Sequence, residues 1–231
     1  MRKILLILFA GVILYSSCSK QHMLSPVKGS FKITVRPTIA DIANSTWQQV
    51  LGGEAIIAFN PLSADTLSAV RDSLSLANVA GYSKQVFAGT YNITLNTESK
   101  AVADTFIRFN SAINTLTINQ DQAISFPATT NDGVVTISKS LIDTTVVPTF
   151  TPAGSATVLK FGKAYNDYFI YVTGNTTGRI SFVEATTGYT YLHDLTVSAM
   201  NQYDLSPIIN PTGVFVRLHP FQPKANNKNN L

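Results

Sequence analysis

One cysteine in 231 residues leaves no disulfide within the chain and no cluster of thiolates to hold a metal. Charged residues make up only 13%, about half the usual share of a soluble domain. Lys and Arg never gather into a patch interleaved with aromatics, which excludes a nucleic-acid surface. The sequence has no Gly-x-Ser-x-Gly, His-Glu-x-x-His or phosphate-loop pattern. Glu54, Glu98 and Glu184 are its only glutamates, and none has an acidic neighbour to complete a glycosidase pair. Long apolar runs are absent after the first, so a polytopic membrane protein is excluded. Disorder over the whole length is excluded as well, because 45% of the residues are hydrophobic. A protein without catalysis, cofactor or metal is expected.

What is present begins at the N-terminus. Met1-Arg2-Lys3 carries two positive charges, Ile4 to Leu14 is apolar, and Tyr15-Ser16-Ser17-Cys18 closes the run. That order is the order of a secretory signal. Eleven apolar residues fall well short of the roughly twenty that span a bilayer as a helix. With the cysteine at the cleavage point, the stretch resembles the lipobox of bacterial lipoproteins. Tyr15 stands where Leu is usual, as lipoboxes of the Bacteroidota often have it. The resemblance implies removal of residues 1–17 and a diacylglycerol thioether on Cys18, leaving no free thiol. Such chains anchor at ~0.8 kcal/mol per buried methylene. Removal of 1–17 takes away two cations and no anion, so the mature charge is +2. Residues 18–29 form a polar tether. Ser19 in place of Asp favours the outer membrane, with the leaflet left open.

The body alternates in the manner of strands. Phe31 to Val35, Ala88 to Leu95, Phe106 to Phe109, Leu116 to Ile118 and Ile124 to Phe126 follow one another at short spacing. Asn131-Asp132-Gly133 predicts a tight hairpin turn, since Asp-Gly accepts positive φ angles. Strands are expected at Val135 to Ile137, Tyr168 to Val172, Arg179 to Val183, Tyr189 to Leu192 and Val214 to Leu218, with turns at 174–178 and 185–188. Ile39, Ile42, Ala43, Trp47, Val50 and Leu51 recur at helical steps and predict one short helix. Ser63 to Val79 fits a helix or a strand. The fold class is mainly β, an antiparallel β-sandwich of one or two immunoglobulin- or transthyretin-like modules with that one helix. A sandwich domain is expected over 30–147. The region 155–221 forms a second module or continues the same sandwich, and 222–231 is a disordered tail.

Chemistry-bearing residues are few. His193-Asp194 is the one close acid–histidine pair, but neighbours along a strand face opposite ways. Tyr165, Tyr168 and Tyr171 lie in the densest aromatic group and are the candidate ligand-binding residues, able to stack on sugar rings if they share an exposed face. Asp65-Thr66-Leu67, Asp72-Ser73-Leu74 and Asp143-Thr144-Thr145 resemble the O-glycosylation acceptor of the Bacteroidota, which would place glycans on Thr66, Ser73 and Thr144. Lipobox, Ala88-Gly89-Thr90-Tyr91 strand and Thr-rich β body together make the chain similar to Bacteroidota envelope lipoproteins of the fimbrillin and transthyretin-like type. That resemblance implies a structural or adhesive role at the outer membrane, and a partner engaged by strand addition. The alternative it leaves open is a glycan-binding lipoprotein of a carbohydrate-uptake system.

Overall fold

The computed structural model describes residues 29–39, 53–63, 67–99, 101–209 and 213–221. The chain is mainly β, with seventeen strands in three sheets among these residues. Its only helical elements among the described residues are two 3-10 turns, Leu76–Gly81 and Lys139–Leu141. The helix expected near Ile39 to Leu51 falls almost wholly outside the described residues, as do Cys18, the tether, Thr66 and the tail. Ile39 itself ends the first strand.

The first sheet holds β1 (Ser30–Ile39), β2 (Glu54–Pro61), β3 (Val70–Ser75), β4 (Ser83–Phe87), β5 (Gly89–Thr97), β7 (Asn110–Ile118) and β8 (Gln122–Thr129). Its order is β3-β2-β5-β7-β8-β1-β4. Alternate residues such as Ile57, Ile93, Leu95 and Phe126 turn inward and are fully buried, as period-two patterning requires. The sheet curls until its two outer strands nearly meet. Asp72 on β3 lies 2.9 Å from Lys84 Nζ on β4 and accepts the Tyr82 hydroxyl at 3.2 Å. That seam gives the sheet its near-closed, barrel-like form. The stretch 63–79, open between helix and strand in the sequence, is resolved by β3 running directly into a 3-10 turn.

The other sheets pack face to face. One has the order β11 (Leu159–Lys160), β10 (Thr149–Pro152), β14 (Thr176–Val183), β15 (Thr190–Val197). The other has the order β12 (Gly162–Lys163), β13 (Asp167–Thr173), β9 (Asp132–Ser138), β16 (Asn201–Ile208), β17 (Gly213–Pro220). The short β6 (Ala103–Asp104) also pairs with β13. Pairing is antiparallel except that β1 runs parallel to β8 and β9 parallel to β16. The Pro-punctuated stretch 147–154 is not bare loop: it contains β10, whose Phe150 is fully buried.

Two cores result. Val135, Ile137, Tyr168, Ile170 and Val172 point into the sandwich between the second and third sheets. Val134, Phe169 and Tyr171, on the opposite face of β9 and β13, point into the core of the first sheet. The middle of the third sheet is therefore covered on both faces, which explains why β9 and β13 read as near-continuous apolar runs.

One turn differs from expectation. Asp132 and Gly133 do not form the hairpin turn; they open strand β9, and Gly133 has no positive φ. The reason is tertiary. Asp132 is buried and its Oδ1 and Oδ2 receive Arg108 Nη2 at 2.7 Å and Nε at 3.1 Å, with the Arg108 backbone N–H at 2.8 Å.

Candidate functional site

Because side chains alternate along each strand, the outer face of the third sheet changes character from end to end. Register places Tyr171, Val134, Gln202 and His219 in one cross-strand row, and Phe169, Thr136, Asp204 and Arg217 in the next. The β13 end of these rows is apolar and covered by the first sheet. The β17 end is polar and open. There Thr136, Ser138, Asp167, Gln202, Asp204, Ser206, Phe215 and Arg217 line a cleft of about 220 Å³.

Asp204 sits at its centre. Its Oδ1 accepts a short hydrogen bond from the Thr136 hydroxyl and one from Gln202 Nε2 at 2.7 Å. His219 Nε2 lies 2.8 Å from Asp204 Oδ2, within ion-pair distance, but its orientation does not form a hydrogen bond. Gln202 is only 4% exposed, and its Oε1 has no hydrogen-bond partner. Phe215 stands at the rim with half its surface exposed. None of these residues stands out in the sequence. The β16–β17 register alone brings Asp204 opposite Arg217 and Ser206 opposite Phe215.

A second surface lies at the same side of the molecule. β15 ends the second sheet and β17 ends the third, and among the described residues nothing pairs with the outer edge of either. Between them runs a groove lined by Tyr189, Tyr191, Leu192, His193 and Val214. Tyr191 stacks on Phe182 at 5.5 Å and donates its hydroxyl to the Ile208 carbonyl at 2.9 Å, tying β15 to β16. Tyr189 and Leu192 of its lining are exposed and give it an apolar wall.

The aromatic residues singled out from the sequence do not form a platform. Tyr168 and Tyr171 are buried on opposite faces of β13, and only Tyr165, at 75% exposure, is free to solvent. The Tyr168 hydroxyl serves the fold: it donates to the Thr144 carbonyl at 3.1 Å, and burial shifts its ionisation upward. Ser73 and Thr144 are both exposed, Ser73 within β3 and Thr144 after the bridge residue Ile142. His193 and Asp194 form no dyad. Asp194 is held by Arg179 at 2.7 and 2.9 Å, which lowers its pKa, whereas His193 faces the groove. Among the described residues no group of three acidic, His or Cys side chains is arranged to hold a metal.

No family model matches the chain, and no curated protein matches it in sequence. Solved structures do resemble it. A Bacteroides ovatus protein assigned to cell adhesion superposes with a TM-score of 0.51 at 7% identity, covering 84% of this chain and 98% of that one. The chain shares the fold of that protein. A Bacteroides uniformis protein with the same assignment gives 0.48 at 10% identity, over 84% and 99%. The fimbrial anchor protein Mfa2 of Porphyromonas gingivalis gives 0.37 at 10%, over 85% and 99%.

Proposed function

We propose that the chain is a non-catalytic structural or adhesive protein of the bacterial envelope, held in the outer membrane through acylated Cys18 and joined to a protein partner by strand addition at the free edge of β17. The fold shared with the B. ovatus protein over nearly all of that chain is the observation that carries this reading. Its support at the edge is physical. An eight-residue strand with an open backbone edge is a template for pairing, and only Arg217 and His219 among its residues carry or can acquire charge. The exposed Leu218 of the same strand adds apolar area for a partner strand to cover.

The anchor has a direct test. Cys18→Ala abolishes incorporation of labelled palmitate and moves the protein out of the membrane fraction; retention of both label and membrane attachment refutes the anchor. Protease added to intact cells then separates the leaflets, since a surface protein is cut and a periplasmic one is spared until the outer membrane is opened. Strand addition is tested by single thiols, because acylation of Cys18 leaves none. A maleimide cross-linker through Leu218→Cys gives a discrete adduct in intact envelopes, whereas Tyr165→Cys gives none. Equal adducts from both positions would remove β17 from the proposal.

A further inference from the structure

We infer that the cleft around Asp204 is a binding site for a neutral saccharide unit, seated on Gln202 and Asp204 and stacked against Phe215. This assignment stands apart from the strand edge and from the manner of anchoring. Three observations lead to it. The first is an orphan: Gln202 is 96% buried, its Nε2 is spent on Asp204, and its Oε1 has no partner within the protein. A buried acceptor left unpaired keeps its desolvation penalty unrepaid, so a ligand donor that reaches it recovers free energy on binding.

The second is the sign pattern of the walls. Asp167 and Asp204 oppose a free anion, and Arg217 opposes a free cation. A sugar hydroxyl both donates and accepts, so neighbouring hydroxyls satisfy carboxylate, guanidinium, amide and the Ser138 and Ser206 hydroxyls together. The third is shape. At about 220 Å³ the cleft is smaller than the ~300–1,000 Å³ of drug-sized sites and open on one side. The half-exposed ring of Phe215 offers an apolar face to the C–H side of a pyranose while the floor takes its hydroxyl edge.

Saturation-transfer NMR on the purified full-length chain in a zwitterionic, sugar-free detergent tests this. The probes are the methyl glycosides of glucose, mannose, galactose and N-acetylglucosamine, with free lysine and inorganic phosphate as the charged competitors. At least one glycoside receives saturation, and the signal falls tenfold or more in Asp204→Asn and in Phe215→Ala but not in Tyr165→Ala. Should Asp204→Asn fail to fold, Phe215→Ala and Arg217→Ala decide, since both side chains point outward from the sheet. Saturation of no glycoside, a glycoside signal indifferent to these variants, or a signal from lysine or phosphate alone each overturns the assignment.

Discussion

Asp132 illustrates how a residue's role depends on what the fold brings to it. Burial holds its carboxyl above the ordinary carboxylate range, and the Arg108 guanidinium opposes that shift without cancelling it. The pair is nearly enclosed, with side-chain exposures of 11% and 3%. Arg108 also reaches the carbonyls of Ala101 and Val102, while its own carbonyl receives the Thr130 hydroxyl at 2.6 Å. Enclosed pairs cost much to desolvate, but leaving one charge alone costs more. Asp132→Ala is therefore expected to lower unfolding stability by about 3–5 kcal/mol in urea titrations. The double variant Arg108→Met, Asp132→Leu recovers more than half of that, and a double variant no better than the single one would show that the pair itself is stabilising. Glu184 works in the opposite direction. Its carboxylate accepts the Thr187 hydroxyl and backbone N–H, both at 2.6 Å, and the Thr186 N–H at 2.7 Å, which lowers its pKa to about 2. A depressed folded pKa stabilises above the unfolded value of 4.5 and loses that contribution as pH falls toward 2. The stability gap between wild type and Glu184→Gln is expected to be constant above about pH 5.5 and to close steadily below 4.5; a gap that widens on acidification would contradict the assignment.

Elements were legible where patterning is local. The alternation of Ala88 to Leu95 gives β5, and Arg179 to Val183 lies within β14, because one inner and one outer face suffice to predict a half-buried strand. The turn at 174–175 also follows from composition, since Asn175 adopts a positive φ of 65° that Asn tolerates. What was not legible depends on partners distant in sequence. Asp-Gly at 132–133 carries a turn signal, yet Arg108 and the approach of Ser198 draw it into a strand. The cleft was invisible for the same reason: Thr136 and Asp204 are 68 positions apart, and only the parallel β9–β16 register joins them. Gly178 shows what such packing demands of one position. A Cβ there would lie 2.3 Å from the Phe150 ring and 2.9 Å from the Thr151 carbonyl, so β10 could not approach β14. Gly178→Ala is expected to cost about 1–3 kcal/mol in thermal unfolding. Gly81→Ala, where nothing lies within 4 Å, stays within about 0.5 kcal/mol of wild type. Equal losses at the two positions would mean that backbone freedom, not contact, sets the requirement.

At the scale of the molecule, the third sheet belongs to both cores. Phe169 enters the first and Ile170, its neighbour on β13, enters the second. Neither core can come apart without stripping one face of the same strand. Calorimetry is expected to record one cooperative transition, lowered by Phe169→Ala (about 3–5 kcal/mol) and by Ile170→Ala (about 2–5 kcal/mol) alike. Two transitions, each sensitive to only one variant, would show that the cores melt independently.

The seam at Asp72 has a consequence for any assembly the protein enters. The seam is made of side chains alone, so among the described residues β3 and β4 keep unpaired backbone edges as β15 and β17 do, but a strand entering between β3 and β4 would first have to part Asp72 from Lys84 and Tyr82. Backbone pairing through the described strands is thus guarded by an ion pair at one margin and unguarded at β15 and β17. An incoming strand would therefore meet less resistance at β15 or β17 than at the seam, which gives the molecule a preferred side for adding a strand.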